Sequence, residues 1–119
     1  MTDVLNPVTV EAAIRECANR IANGVKVCSD RYRDFLKADH DLDIAYARAF
    51  MAHDGPQGEK RYAAELATES ERAKRDLADA AYRYADRQNR ALQSELDAYR
   101  SIGASVRSAY AVAGRGEGA

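Results

Sequence analysis

Apolar residues recur along this chain with the period of a helix. In the first half Ile14, Ile21, Cys28, Phe35, Leu42 and Ala49 return every seven residues, and Ala18, Val25, Tyr32 and Tyr46 run beside them at a second heptad position. A heptad held that long is the pattern of a coiled-coil or bundle helix. In the second half Leu66, Ala73, Leu77, Ala81, Tyr84, Ala91, Tyr99, Ile102, Val106 and Tyr110 gather on one helical face. Leu66, Leu77, Gln88, Tyr99 and Tyr110 are spaced by eleven, which keeps this second stripe nearly straight.

The breaks in the pattern fall where helices stop. Asn6-Pro7 reads as an N-cap followed by proline at the first helical position, where its missing N–H costs nothing. His53-Asp54-Gly55-Pro56-Gln57-Gly58 combines a glycine able to end a helix with a proline that prevents continuation. The spacing therefore predicts an all-α fold: a long antiparallel, coiled-coil-like helical hairpin with arms over 7–53 and 59–112 and a turn at 54–58. One domain is expected over 1–113, followed by a disordered tail over 114–119, where Gly114-Arg115-Gly116-Glu117-Gly118-Ala119 has nothing to bury. The weak point of the first arm is Asn23-Gly24, because glycine inside a helix costs about 1 kcal/mol relative to alanine. A kink or break is expected there as an alternative to one continuous arm.

A hairpin with this turn pairs residue n with about 113 minus n. That register sets Asp39, near the centre of the first stripe, opposite Lys74 in a register-fixing ion pair. It also sets Gln88 and Glu95 near Val25 and Ala18, as a polar notch of the kind that fixes register or oligomer state.

Composition narrows the picture. The chain has 119 residues and no Trp, 46% hydrophobic and 31% charged residues, and a formal net charge of -1. A near-neutral chain exerts no global attraction on nucleic acid or acidic lipid, so such binding would need a local patch. No apolar run approaches the ~20 residues needed to span a bilayer, and Met1-Thr2-Asp3-Val4-Leu5 has no basic region leading into an apolar core, so no secretory leader is read. Cys17 and Cys28 sit about 16 Å apart along one helix, too far for a disulfide, which suits a reducing cytoplasm. Arg greatly outnumbers Lys, as in the products of GC-rich genomes, actinobacterial ones and their phages included. Two helices that bury one stripe each bury little, so homo-oligomerisation is expected through the Ile14–Leu42 stripe and its partner face, formed by Leu66, Leu77, Tyr84, Tyr99, Ile102 and Val106.

Candidate chemistry is sparse. In Asp39-His40-Asp41-Leu42-Asp43 only Asp39 and Asp43 share a helical face, and no His-x-x-x-His or Glu-x-x-His accompanies them, so no metal is expected. Ser, Cys and His form no nucleophilic arrangement, and Gly55-Pro56-Gln57-Gly58 lacks the lysine and strand of a phosphate loop. No catalytic residue and no cofactor are assigned, and the chain is read as a non-enzyme. The most basic window is Arg83-Tyr84-Ala85-Asp86-Arg87-Gln88-Asn89-Arg90. Arg83, Arg87 and Arg90, with Arg100 and Arg107 beyond, are the candidates for single-stranded nucleic acid, with Tyr82 the nearest stacking aromatic. Against this stand the i, i+4 pairs Glu71/Arg75, Arg75/Asp79, Asp79/Arg83 and Asp86/Arg90, which would satisfy one another on a solvated face.

Leu96-Asp97-Ala98-Tyr99-Arg100-Ser101-Ile102-Gly103-Ala104-Ser105-Val106-Arg107, together with Ile44-Ala45-Tyr46-Ala47-Arg48-Ala49-Phe50 running into a Gly-containing turn, resembles small helical proteins of actinobacterial phages and prophages. The resemblance spans about residues 40–110. It implies a cytoplasmic accessory factor of an infected or lysogenic host, acting on a protein partner in DNA replication or recombination. A second resemblance is to the small secreted helical hairpins of the actinobacterial type VII pathway. Tyr82-Arg83-Tyr84-Ala85-Asp86 contains their Tyr-x-x-x-Asp export pattern, but their Trp-x-Gly turn is missing.

Overall fold

The computed structural model describes residues 6–117, and these form three helices: α1 (Pro7–Ala52), α2 (Gln57–Ala67) and α3 (Glu69–Glu117). The chain is an all-α helical hairpin. Met1–Leu5, read above for a leader, and Gly118–Ala119 lie outside the described residues.

The start of α1 follows from its cap. The Thr9 backbone N–H donates to Asn6 Oδ1 at 3.0 Å, and the Asn6 N–H donates back to Thr9 Oγ1 at 3.2 Å, a reciprocal arrangement that satisfies two end donors. Helix α1 then runs unbroken through Asn23-Gly24, which is the continuous arm and not its broken alternative. The reason is packing. A Cβ at Gly24 would collide with Asn89 Oδ1 and stand 2.8 Å from Asn89 Cγ, so glycine lets the neighbouring helix come close.

The connector is shorter than expected. Helix α1 ends at Ala52, Gly55 takes a φ of 156°, and Pro56 caps α2 in an extended conformation. The N–H groups of Glu59 and Lys60 both donate to the Pro56 carbonyl, at 3.0 and 3.2 Å, which draws Gln57 and Gly58 into the first turn of α2. The second arm is not one helix. It is interrupted at Thr68, which is 1% exposed and whose hydroxyl donates to the Ala64 carbonyl at 2.7 Å. The Thr68 N–H donates to the same carbonyl at 3.1 Å, so the hydroxyl shares that acceptor, an arrangement that bends helices locally. Past residue 112, where the second arm was expected to end, α3 continues through Gly114 to Glu117. The alanines at 109, 111 and 113 carry strong helix propensity into this stretch.

The single domain expected over 1–113 resolves into two compact units: Lys26–Asp86, and a second made of the chain up to Val25 together with the chain from Arg87. Within Lys26–Asp86, the end of α1 pairs antiparallel with α2 and the start of α3. Arg75 Nη1 donates to Asp39 Oδ1 at 3.3 Å, and the rings of Tyr32 and Tyr82 lie 5.1 Å apart. Within the other unit, the start of α1 pairs antiparallel with the rest of α3. A Cβ at Gly103 would stand 3.1 Å from Val10 Cγ1, and the Cys17 thiol donates to the Leu92 carbonyl at 3.2 Å. The expected register holds to within one residue at Asp39/Arg75, Tyr32/Tyr82, Gly24/Asn89 and Val10/Gly103, so Asp39 meets Arg75 rather than Lys74, while the Cys17–Leu92 bond is offset by about one helical turn.

One of the two lines expected on α1 is inside; the other is not, since Ala18, Val25 and Tyr32 are exposed and the line one position earlier takes its place. Ile14, Ile21, Cys28 and Phe35 are half-buried and Leu42 is buried, with Val10, Cys17, Gly24, Ala38 and Ala45 interleaved. The inner line of the second arm is a different one. Within Lys26–Asp86 it comprises Ala64, Thr68, Glu71, Arg75, Ala78, Tyr82 and Ala85, and within the other unit Asn89, Leu92, Leu96, Tyr99, Gly103 and Val106. These positions alternate by four and three, as a helix facing one partner requires. Of the expected stripe only Tyr99 and Val106 lie on it. Leu66, Leu77, Tyr84 and Ile102 are 76%, 74%, 65% and 37% exposed. Alanine and glycine on the inner line let backbones approach closely, so the larger side chains need not be inside.

Candidate functional site

The basic window is on α3, and its charges are compensated locally. Arg83 Nε reaches both carboxylate oxygens of Asp79, at 3.0 and 3.1 Å, one helical turn earlier. This is the expected Asp79/Arg83 pair. Asp86, Arg87 and Arg90 are each engaged in interactions of their own. Arg100 lies 4.0 Å from Asp97. Arg83 belongs to the Lys26–Asp86 unit, whereas Arg87, Arg90, Arg100 and Arg107 belong to the other. In that second unit Arg100 and Arg107 line, with Arg15, Glu11 and Ile14, an open groove of about 430 Å³.

Two further pairs expected on this face are not formed. Arg75 turns to Asp39 and Asp76, at 3.3 and 3.2 Å, rather than to Glu71 or Asp79. Asp39 is the main cause of an Arg75 pKa held above its ordinary value, with Asp76 adding to it. Glu71 instead turns inward, and its Oε2 is buried without a hydrogen-bond partner.

The polar notch also differs from expectation. Gln88 and Glu95 are exposed, and the inward polar residue is Asn89, 9% exposed, with Oδ1 lacking a hydrogen-bond partner. Its position on the alternating line was the signal that could have found it; the stripe of larger residues drew attention to Gln88 instead. Glu95 serves Tyr99: its carboxylate beside the phenol raises the Tyr99 pKa, first by hydrogen bonding and then by charge.

Cys17 is buried, Cys28 half-buried, and both are free thiols. His40, Asp41 and Asp43 point to solvent, and among the described residues no three His, Cys, Asp or Glu side chains gather as a metal would require. No helix among the described residues is long and apolar enough to cross a membrane.

What the Lys26–Asp86 unit does carry is exposed apolar surface on two separate faces. On α1, Tyr32 (46% exposed) and Leu36 (48%) continue into half-buried Tyr46 and Phe50 in helical steps, with Asp39 and Asp43 between them. The Tyr46 and Phe50 rings lie 6.3 Å apart. On α3, Leu77 and Tyr84 stand on the side opposite the inner line. Comparison with known protein families, with curated proteins and with solved structures finds no match to this chain.

Proposed function

We propose that the chain is a non-enzymatic interaction protein that docks a protein partner on the aromatic line of α1. The observation that supports this reading is the line of exposed Tyr32 and Leu36 and half-buried Tyr46 and Phe50, interleaved with two carboxylates. Tyrosine-rich surface of this kind supplies rigid anchors at protein interfaces. The steps of three and four suit an amphipathic helix laid along α1, and Asp43, exposed in the middle of the line, calls for a basic residue on that helix. The resemblance of residues 40–110 to small phage proteins supports a setting in phage DNA replication or recombination, in the cytoplasm of a bacterial host. Direct binding of single-stranded DNA draws less support, because Arg83 is held by Asp79.

A photo-crosslinking residue in place of Leu36, used in cells of the host, tests the proposal. The expected result is one discrete protein adduct that survives nuclease treatment and is lost with Asp43→Arg. Adducts to nucleic acid, to copies of the chain alone, or to nothing would overturn it.

A further inference from the structure

The outer face of α3 within Lys26–Asp86 has a pattern that fits its own copy. Ala73, Leu77, Ala80 and Tyr84 fall on one stripe in steps of four, three and four. All four are exposed, Leu77 at 74% and Tyr84 at 65%. The stripe lies opposite the inner residues Arg75, Ala78, Tyr82 and Ala85, so folding of the hairpin leaves it uncovered.

Turning one such helix antiparallel to another about a dyad between Ala78 and Asp79 sets Leu77 against the second copy's Ala80. The same operation sets Tyr84 against the second copy's Ala73. Every large residue then meets a small one, which is the condition for interdigitated packing. The flank is matched as well. Asp76 and Arg83 border the stripe on the same side, and in an antiparallel pair like flanks face each other. Asp76 of one copy therefore meets Arg83 of the other, and the dyad repeats the contact. Their side chains are 65% and 68% exposed, and although Asp76 contacts Arg75 and Arg83 contacts Asp79 within the chain, a carboxylate and a guanidinium can each take a further partner. The other flank holds Lys74 and Ala81, which meet each other across the dyad without opposing like charges.

We infer that the chain forms an antiparallel homodimer through residues 73–84 of α3, by Leu77/Ala80 and Tyr84/Ala73 packing inside a pair of Asp76–Arg83 contacts. This is a different face from the α1 line assigned above to a heterologous partner, and it stands without that reading. It also replaces the Ile14–Leu42 stripe expected from sequence, which is occupied by packing within the chain. Two Leu and two Tyr cover much less than the ~1,200–2,000 Å² of a standard interface. The dimer is accordingly of the weak, transient kind.

Sedimentation of the purified full chain up to several hundred micromolar tests this, with circular dichroism confirming that each variant keeps its helix. The wild type is expected to move from monomer to dimer across that range. Asp76→Arg alone and Arg83→Asp alone should each weaken dimerisation at least tenfold, because each puts like charges opposite each other twice. An equimolar mixture of the two variants should dimerise again, since Arg then faces Asp at both contacts, and so should the double variant. A wild type that stays monomeric overturns the inference. So does dimerisation indifferent to the single reversals, or a mixture that does not recover.

Discussion

Replacing Gly24 by alanine separates two opposed effects whose sizes the structure sets. At an ordinary helical site the change stabilises by about 1 kcal/mol, because alanine restricts the unfolded chain and suits the helix. Here the new methyl would overlap Asn89 Oδ1 and lie 2.8 Å from Asn89 Cγ. Asn89 is only 9% exposed, so its side chain has little room to swing away. Overpacking of this kind costs about 1–3 kcal/mol. The overlap therefore wins, and Gly24→Ala should lower stability by about 1 kcal/mol net. In an Asn89→Ala background the obstruction is gone, and the same substitution should raise stability by about 1 kcal/mol. The coupling between the two sites is then about 2 kcal/mol, well above the error of a double-mutant cycle. Urea unfolding followed by circular dichroism at low micromolar concentration gives all four stabilities. A Gly24→Ala protein more stable than wild type, or a cycle with no coupling, would refute the close approach.

Other predictions test the inner line and its electrostatics. Leu42→Ala should cost about 2–5 kcal/mol and Leu77→Ala under about 0.5 kcal/mol in the monomer, since Leu42 is 7% exposed and Leu77 74%; similar costs in urea unfolding would mean the sides are misassigned. Thr68→Val keeps the volume but loses the bond to the Ala64 carbonyl, and should lower the unfolding free energy by about 1 kcal/mol. Tyr99 should ionise above the ordinary phenol range in an absorbance titration, and Tyr99→Phe should remove that high-pH component; an unchanged titration would contradict the Glu95 contact. The Tyr99 pKa is raised on folding, so the stability it contributes is intact below the unfolded phenol's pKa and is lost as pH climbs through the higher folded value. Ellman's reagent should modify half-buried Cys28 well before Cys17, which is 2% exposed; equal rates would contradict the burial.

The parts of the fold legible in the sequence are those written in strong local chemistry. Asn6-Pro7 and Gly55-Pro56 mark ends through backbone restrictions that act whatever the surroundings. The heptad of α1 is legible because Ile14, Ile21, Phe35 and Leu42 are both large and inside. On the second arm size and burial part company. Within Lys26–Asp86 its inner line is made of Ala64, Ala78 and Ala85 with Thr68, Glu71 and Arg75 among them, and Tyr82 is its one large apolar residue. A reading weighted by hydrophobic size follows Leu66, Leu77 and Tyr84 instead, and so selects the outer face. The strict alternation of four and three is present in the sequence, but through Lys26–Asp86 it is carried mostly by small or polar residues, and the large apolar ones, Leu92, Leu96, Tyr99 and Val106, come only beyond it. The Arg75–Asp39 contact was nearly legible, one residue from the expected Lys74. The choice between them depends on helical phase: Arg75 is on the inner line and Lys74 one position off it, exposed.

The short connector from His53 to Pro56 also governs the order in which the chain can assemble. Asp39 and Arg75 are separated by 36 positions, Cys17 and Leu92 by 75. Closing the shorter loop costs less chain entropy, and contacts made near the connector shorten the effective loop for every pair beyond it. Assembly then proceeds like a zip from the connector, each pairing lowering the cost of the next, and opening runs in reverse, beginning with the pairs farthest from it. Amide hydrogen exchange should accordingly be slowest around Leu42 and Ala78 and quicken in α1 toward Val10 and in α3 toward Val106, although the hydrogen-bond ladder of each helix is continuous.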